Sequence, residues 1–244
     1  LKGVGPAPEV GVVEYQDSEG GWRASAAWPP AEAREEVLHL ADGALSPAPG
    51  RGAAAFRSVP DPLHAMLAAE GAGGAPGPLC APGTHALLFA TKPLPERVVL
   101  AGNPFALLRL TSDAPGGLVT VTLLDLAPDF RCENGKPVGA RALVQGAADL
   151  RFHAGGYRGR DFPVGTPTDV RVDVTNLADV LPAGHRLAAL VSHGDPALRT
   201  GQPHAPTLAL DAAASHLVLP LVEGTLGGEA PATAYPPRPF APQE

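Results

Sequence analysis

The density of glycine and proline is the feature that most limits how this chain can fold. Its 244 residues include 29 glycines and 29 prolines, so a residue that interrupts helices recurs every few positions. Proline removes a backbone donor, and both residues disfavour the interior of a helix. Long helices therefore have little room. The stretches between the interruptions are expected to form short strands joined by turns.

Alternating apolar and polar residues between these interruptions predict strands. In segment 119–123 valine and leucine alternate with threonine, and in segment 170–174 three valines alternate with Arg171 and Asp173. A period of two places one set of side chains on the buried face of a sheet. Pro220 predicts an edge or a bulge, because proline cannot donate to a ladder. The other predicted strands are 10–15, 36–40, 85–90, 98–110 with a break at 103–104, 185–192 and 216–222.

About eight or more strands without a regular alternation with helices favour an all-β fold. We predict an antiparallel sandwich, and a jelly roll in particular. Two short helices are predicted at 31–36 and 62–70, and segment 59–82 is predicted to be a long surface loop. The length suits one domain, because sandwiches of roughly 200–250 residues occur as single units. The predicted boundaries are a connector at 1–9, the jelly roll at 10–224 and a proline-rich tail at 225–244.

The charge and the hydropathy pattern exclude several classes of partner. The net charge of -7 disfavours nucleic acid and anionic membranes as partners. Segment 151–162 interleaves arginines with aromatic residues, but in an acidic chain a solvated loop or part of a domain interface is favoured over nucleic-acid binding. A spanning helix is excluded because no run of about 18 apolar residues occurs. The first residues lack a methionine and a signal peptide's apolar region, which suggests a processed or excised chain of undetermined compartment.

Neither the cysteines nor the histidines show the local spacing of a metal site. Cys80 and Cys132 form no C-x-x-C pair, so two unpaired thiols are expected and one disulfide is the alternative. Asp125, Asp129 and Glu133 lack the ligand order of an EF-hand, which favours a solvated hairpin over a calcium site. We therefore expect no metal and no other cofactor. The scattered histidines are His39, His64, His85, His153, His193, His204 and His216.

The segment LPAGHRLAALVSHGDP, residues 181–196, raises the question of catalysis because it contains Ser192, His193 and Asp195. A nucleophile elbow requires G-x-S-x-G, since small residues permit its strained turn. Ser192 has Leu190 in place of the first glycine. Adjacent side chains of a strand point to opposite faces, so Ser192 and His193 are expected to diverge. We expect no catalytic residue in this chain.

Four residues are the candidates for binding or for an interface. His185 and Arg186 could bind the carboxylate of a ligand. We favour a structural role instead, in which the two residues begin a strand and form hydrogen bonds to a neighbouring loop. Gly184 can supply the positive φ of the preceding turn. Trp22 and Trp28 could stack on a sugar or on a proline. We favour a role as anchors of the N-terminal connector, either against the sandwich or against another domain, because large amphipathic rings are common at interfaces.

Five motifs occur in order along residues 10–224. They are EYQDSEGGWRASAAWPP, VLHLADGALSPAPG, LTSDAPGGLVTVTLLDLAPD, LADVLPAGHRLAALVSHGDP and SHLVLPLV. In this order and spacing they resemble the C-terminal domain of Xaa-Pro dipeptidyl-peptidases, cocaine esterase and α-amino-acid ester hydrolases. The resemblance implies a galactose-binding-like jelly roll. It also implies an upstream α/β-hydrolase catalytic domain that carries the nucleophilic serine, its acid and its histidine.

Two functional hypotheses follow. In the first, the chain is the non-catalytic C-terminal domain of a serine hydrolase with dipeptidyl-peptidase, acylase or esterase activity, and its partner is the upstream catalytic domain, with a homodimer also possible. In the second, it is a freestanding jelly-roll module that binds a carbohydrate or another ligand. The first predicts an apolar patch near Trp22, Trp28 and the N-terminus. The second predicts a concave site with an aromatic floor.

Overall fold

Almost all regular structure in the described part of this chain is strand. The computed structural model describes residues 11–41, 43–49, 53–57, 79–80, 82, 86–155, 158–193 and 206–227. The strands are β1 Val13–Gln16, β2 Trp22–Ser25, β3 Arg34–Ala41, β4 Ala44–Ser46, β5 Ala53–Arg57, β6 Ala86–Ala90, β7 Val98–Gly102, β8 Phe105–Ser112, β9 Leu118–Glu133, β10 Lys136–Asp149, β11 Thr168–Asp173, β12 Leu177–Leu181, β13 Arg186–Ser192, β14 Thr207–Asp211 and β15 His216–Glu223. One 3₁₀ turn follows β10 at Leu150–Phe152. Among the described residues, no helix is both long enough and apolar enough to cross a membrane.

Two layers of antiparallel strands form a β-sandwich. The first layer has the order β10-β9-β13-β6. In the second layer β15 pairs with β3 along one side and with β7 and β8 along the other. β12 extends the second layer beyond β7, while β11, β14 and β5 extend it beyond β8. β4 links the layers, because it pairs with β3 and meets β6 at the parallel bridge between Ala44 and Ala90.

The alternation in the sequence accounts for the core between the layers. Val121 and Leu123 from β9 belong to the same buried cluster as Val170 and Val172 from β11. These side chains leave water together, which is the main favourable contribution to folding. The all-β sandwich expected from the sequence is therefore confirmed. The largest fully buried side chains are Phe56, Phe162, Leu38, Leu40, Leu100, Leu108, Leu110, Leu123, Leu150, Leu177, Leu181 and Leu187.

The predicted break at 103–104 is confirmed, and it explains how Pro220 is accommodated. β7 ends at Gly102 and β8 begins two residues after Asn103. β15 pairs with β8 as far as Val218 and with β7 from Leu221, so Pro220 lies where the partner changes and a bulge follows. Gly102 has a φ of 145°, and a Cβ there would lie 2.6 Å from the Cβ of Pro220. Only glycine fits this close approach.

The predicted helix at 31–36 is wrong, because β3 begins at Arg34. Leu38 and Leu40 point into the core, and β3 pairs with the central strand β15. Tertiary pairing thus outweighs the helix preference of the local sequence. The predicted connector at 1–9, the predicted helix at 62–70 and most of the predicted tail lie outside the described residues.

β9 and β10 form a long hairpin, as the sequence predicts. Its two turn residues, Asn134 and Gly135, have φ values of 51° and 77°, which suit the tight turns of hairpins. The expectation of two unpaired thiols is wrong, because Cys80 and Cys132 form a disulfide. The bond fastens the chain beside Leu79, which packs against the apolar outer face of the first layer.

Candidate functional site

Ser192 and His193 form hydrogen bonds that join the end of β13 to β9. The Ser192 hydroxyl is buried and lies 2.7 Å from Oγ1 of Thr120, its register partner on β9. The Nδ1 atom of His193 lies 2.6 Å from the carbonyl oxygen of Leu118. The two side chains therefore engage different partners within the sheet, and the third member of this sequence cluster, Asp195, lies outside the described residues.

His185 belongs to a hydrogen-bonded network of charged side chains. Its Nδ1 atom lies 2.7 Å from Oδ1 of Asp125, which is buried on β9. Arg141 on β10 donates to the other oxygen of Asp125 at 3.1 Å. The same guanidinium holds both oxygens of Asp179, at 2.8 and 2.9 Å. Paired donation of this kind is the strong form of a charged hydrogen bond, and the network links β9, β10, β12 and the start of β13.

The hydrogen bond to Asp179 is the main reason that the pKa of Arg141 is raised above its ordinary value. Asp179 also accepts a hydrogen bond from the N–H of Val180 at 2.8 Å. Arg141 and Asp179 are not among the residues predicted from the sequence. Asp179 is a single carboxylate inside the apolar strand LADVL. This pattern could have predicted an ion pair at Asp179, because a buried charge requires a partner.

Arg186 lies on the surface beside this network. It is exposed at the start of β13, opposite Leu126 in the register with β9. No ion pair between Arg186 and another described residue occurs within 4.0 Å. The structure therefore separates the two neighbours, since His185 is bound inside the network and the guanidinium of Arg186 faces solvent.

The histidines and carboxylates considered as metal ligands are engaged elsewhere. His39 and His216 lie on paired strands with ring centroids 5.7 Å apart, and burial, followed by the proximity of His39, lowers the pKa of His216. Asp129 and Glu133 both contact Arg131 on the same strand, β9, close to the tip of the hairpin. No group of three or more potential ligands is arranged around a metal position in the part of the chain that the structure describes. His64, His85 and His204 lie outside it.

A cleft of about 140 Å³ lies between the edges of β10 and β11, next to Phe152. Asp149 borders the cleft and is held by Arg151, with Nη2 2.6 Å from Oδ2. Asp173 is held by Arg171, whose guanidinium also covers the ring of Phe105. These carboxylates are already bound by arginines. Of the arginines in the aromatic and basic segment at 151–162, Arg151 is thus paired with a carboxylate two residues before it in the chain.

Trp22 belongs to a separate two-stranded unit, which we call the N-terminal ribbon (β1 and β2, residues 13–25, with their turn), and Trp28 follows this unit in the chain. The strands pair in antiparallel register. Exposure alternates along both strands, so that one face is partly covered and the other lies in water. Trp22 is on the outer face and is 70% exposed. The outer face consists of Glu14, Gln16, Trp22 and Ala24.

Asp17 closes the turn of the N-terminal ribbon. Its carboxylate accepts hydrogen bonds from the N–H of Gly21 at 2.9 Å, the N–H of Glu19 at 3.1 Å and Nε of Arg23 at 3.2 Å. Burial by itself opposes ionisation of Asp17, but these three donors outweigh it and lower the pKa of Asp17 below its ordinary value. The turn is therefore held by a carboxylate that stays charged at neutral pH.

Several contacts fasten the N-terminal ribbon to the sandwich. Arg97 bridges Glu19 of the turn and Glu223 of β15, at 2.9 Å to each, and the hydrogen bond to Glu19 is the main cause of a raised pKa of Arg97. The hydroxyl of Ser18 accepts a hydrogen bond from the N–H of Val180 at 3.0 Å. Two adjacent residues of the turn, Ser18 and Glu19, are thereby anchored to the second layer.

Trp28 anchors the other side of the N-terminal ribbon. Its ring meets that of Tyr15 edge to face, with centroids 5.1 Å apart. Its Nε1–H donates to Oδ1 of Asn103 at 2.6 Å. Edge-to-face packing and a satisfied indole N–H fix this side chain. The two tryptophans therefore differ, because Trp28 is bound within the molecule whereas Trp22 faces water.

Comparison with known proteins gives the context of this arrangement. Residues 3–232 match the family described as X-Pro dipeptidyl-peptidase C-terminal non-catalytic domain. A Streptomyces avermitilis protein that carries the name of an Xaa-Pro dipeptidyl-peptidase is 27% identical over an alignment of 169 residues, and the alignment covers 56% of this chain and 25% of that protein.

Two solved structures share the fold. An aminopeptidase from a marine sediment archaeon, Thaumarchaeota archaeon, has a TM-score of 0.64 at 19% identity, covering 86% of this chain and 40% of that one. An α-amino acid ester hydrolase has a TM-score of 0.63 at 18% identity, covering 85% of this chain and 40% of that one. The chain thus spans about two fifths of these hydrolases, and the catalytic domain is absent from it. It belongs to the family of X-Pro dipeptidyl-peptidase C-terminal non-catalytic domains.

Proposed function

We propose that this domain packs against and supports an upstream catalytic domain of the same polypeptide, a serine hydrolase of the α/β-hydrolase class. The observation that carries the proposal is the match of residues 3–232 to a C-terminal non-catalytic domain, combined with coverage of only 40% of the structural relatives. We further propose a galactose-binding-like jelly roll. The parent activity would be that of a dipeptidyl-peptidase, an acylase or an esterase, in keeping with the names of the relatives.

The candidate residues divide between an interface and the scaffold in this proposal. Trp22 is exposed on the ribbon, and we assign it to the interface. Trp28 stabilises the ribbon through its edge-to-face contact with Tyr15. His185 is assigned to the scaffold, because Asp125 already binds its imidazole. Arg186 is accessible beside it and is available for a contact with the catalytic domain.

The alternative of a freestanding carbohydrate-binding module is less well supported. It calls for unengaged polar groups that converge over an aromatic floor. In the cleft beside Phe152, the carboxylates of Asp149 and Asp173 are already bound by Arg151 and Arg171. A sugar would have to compete with these ion pairs for its hydrogen bonds.

Hydrolysis assays test the proposal directly. The 244-residue chain and the full parent polypeptide are compared on a chromogenic prolyl dipeptide substrate and on a small ester. We expect turnover by the parent and background rates with the chain alone. Clear turnover by the chain alone, or a parent gene without an upstream hydrolase, would contradict the proposal. Light scattering of the 244-residue chain alone tests separately whether it forms a homodimer.

A further inference from the structure

Trp22 is exposed to water although it is held in a fixed position. Among the described residues, the exposed large hydrophobic side chains are Trp22 at 70% and Val164 at 54%. A tryptophan ring offers a large apolar area together with an N–H donor, and such residues dominate the binding energy of many interfaces. Val164 lies outside the N-terminal ribbon, between the 3₁₀ turn and β11, and provides an internal comparison.

The N-terminal ribbon fixes the backbone around Trp22, so little conformational entropy remains to be lost when this residue binds a partner. Asp17 closes the turn next to it, and Arg97 ties Glu19 of that turn to the sandwich. Arg23, the neighbour of Trp22 in β2, also contacts Glu223, with Nη1 3.6 Å from Oε1. Binding through a group that is already ordered avoids the entropy cost of ordering it on association.

The position of the ribbon in the chain identifies the partner. The family is defined as a C-terminal domain, so the catalytic part precedes it in the polypeptide. The family match begins at residue 3 and β1 begins at Val13. Ten residues span at most about 36 Å when fully extended. The ribbon therefore lies within a short tether of the junction, where the local concentration of the catalytic domain is high.

We propose that the outer face of the N-terminal ribbon, formed by Glu14, Gln16, Trp22 and Ala24, is the surface that docks into the catalytic domain of the same polypeptide. This inference rests on the proposed function. Trp22 enters an apolar socket of that domain. Glu14, which is diagonal to Trp22 across the paired strands, meets an arginine, a lysine or a backbone N–H at the rim of the socket.

The experiment uses the full parent polypeptide with a specific protease site inserted in segment 1–9. After cleavage, the dissociation constant of the two pieces is measured for the parent sequence and for Trp22→Ala, Trp22→Phe and Val164→Ala. We expect Trp22→Ala to raise the dissociation constant by about thirtyfold or more, Trp22→Phe to raise it less, and Val164→Ala to leave it unchanged. The sheet signal of the 244-residue chain should melt alike for Trp22→Ala and the parent sequence, because the side chain is exposed.

The outcomes separate this inference from the proposed function. If the unsubstituted pieces stay together and Trp22→Ala behaves like Val164→Ala, the docking surface lies elsewhere and only the inference is overturned. If the unsubstituted pieces separate at micromolar concentration, the packing that we propose as the function fails as well. If the 244-residue chain self-associates and Trp22→Ala abolishes this, the face binds a second copy and the inference is overturned.

Discussion

The N-terminal ribbon and the sandwich core are stabilised by different physical forces. The core is a continuous apolar cluster contributed by both layers. The ribbon is a pair of four-residue strands held by Asp17, by the bridge through Arg97 and by the packing of Trp28 on Tyr15. An isolated two-stranded hairpin is only marginally stable in water. The ribbon thus depends on the sandwich, whereas the sandwich does not need the ribbon to bury its core.

This contrast indicates where a structural domain can carry function. A close-packed core tolerates little change, because any altered volume is felt by its neighbours. A fastened surface ribbon can present a large side chain to a partner while the fold remains intact. The chain also provides two separate probes, because its only tryptophans, Trp22 and Trp28, report on the ribbon, while far-ultraviolet circular dichroism reports on the sheets.

Removing a core side chain should have the largest effect and should affect both regions together. Leu108 on β8 is fully buried in the core cluster, and truncating a buried leucine to alanine costs about 2 to 5 kcal/mol. We expect Leu108→Ala to lower the free energy of unfolding in urea by this amount, with tryptophan emission and circular dichroism changing at the same denaturant concentration. Leu107→Ala, on the partly buried opposite face, should cost less. Equal losses for the two variants would contradict this account.

Breaking the charged network should have an intermediate effect, because it connects the core to the ribbon. Asp179 binds Arg141 and the N–H of Val180, and this same N–H donates to Ser18 of the ribbon turn. We expect Asp179→Ala to lower the free energy of unfolding by about 1 to 3 kcal/mol. The matched control is Asp169→Ala, which removes an exposed pair with Arg109 and should cost less than about 1 kcal/mol. A control as damaging as Asp179→Ala would refute the assigned role of the network.

Loss of the charge on Asp17 should affect the ribbon alone and should depend on pH. The pKa of Asp17 is lowered in the folded state, so its stabilisation is present above the unfolded pKa of about 4 and is lost as the pH falls through the lower folded value. We expect Asp17→Asn to shift the tryptophan emission of the chain at pH 7 without changing the melting of the sheets. The unsubstituted protein should approach the same emission only in acid, below the unfolded pKa of about 4. A change in sheet melting as large as the change in emission would show that the ribbon and the sandwich unfold as one unit.

Sequence periodicity predicted the core strands well and the ribbon poorly. Segments 119–123 and 170–174 alternate with a period of two and have their valines buried; the first lies in β9, and the second lies in β11 as far as Asp173 and ends in a bridge at Val174. β2 contains only four residues, too few for a reliable period. The helix predicted at 31–36 failed for a related reason, because its glutamates and alanines favour helix locally while the pairing of β3 with β15 is a long-range interaction.

The candidate site shows the same division. The sequence singled out His185, Trp22 and Trp28 as side chains to be explained, but it could not say which of them would be satisfied inside the molecule. Asp125 binds His185 from a position 60 residues away, and Asn103 binds Trp28 across 75 residues. Such partners become neighbours only when the layers close. Trp22 has the same chemistry as Trp28, and only the register of the ribbon leaves it in water.

By itself, the sequence determined that the chain is a set of short strands around an apolar core, because glycine and proline interrupt helices and a period of two directs side chains to one face. The tertiary structure alone decided that Cys80 pairs with Cys132, that Arg141 joins Asp125 to Asp179, and that one tryptophan of two faces outward. The physical reason is distance along the chain. Local preferences act over a few residues, whereas disulfides, buried ion pairs and exposed surfaces depend on which distant strands become neighbours.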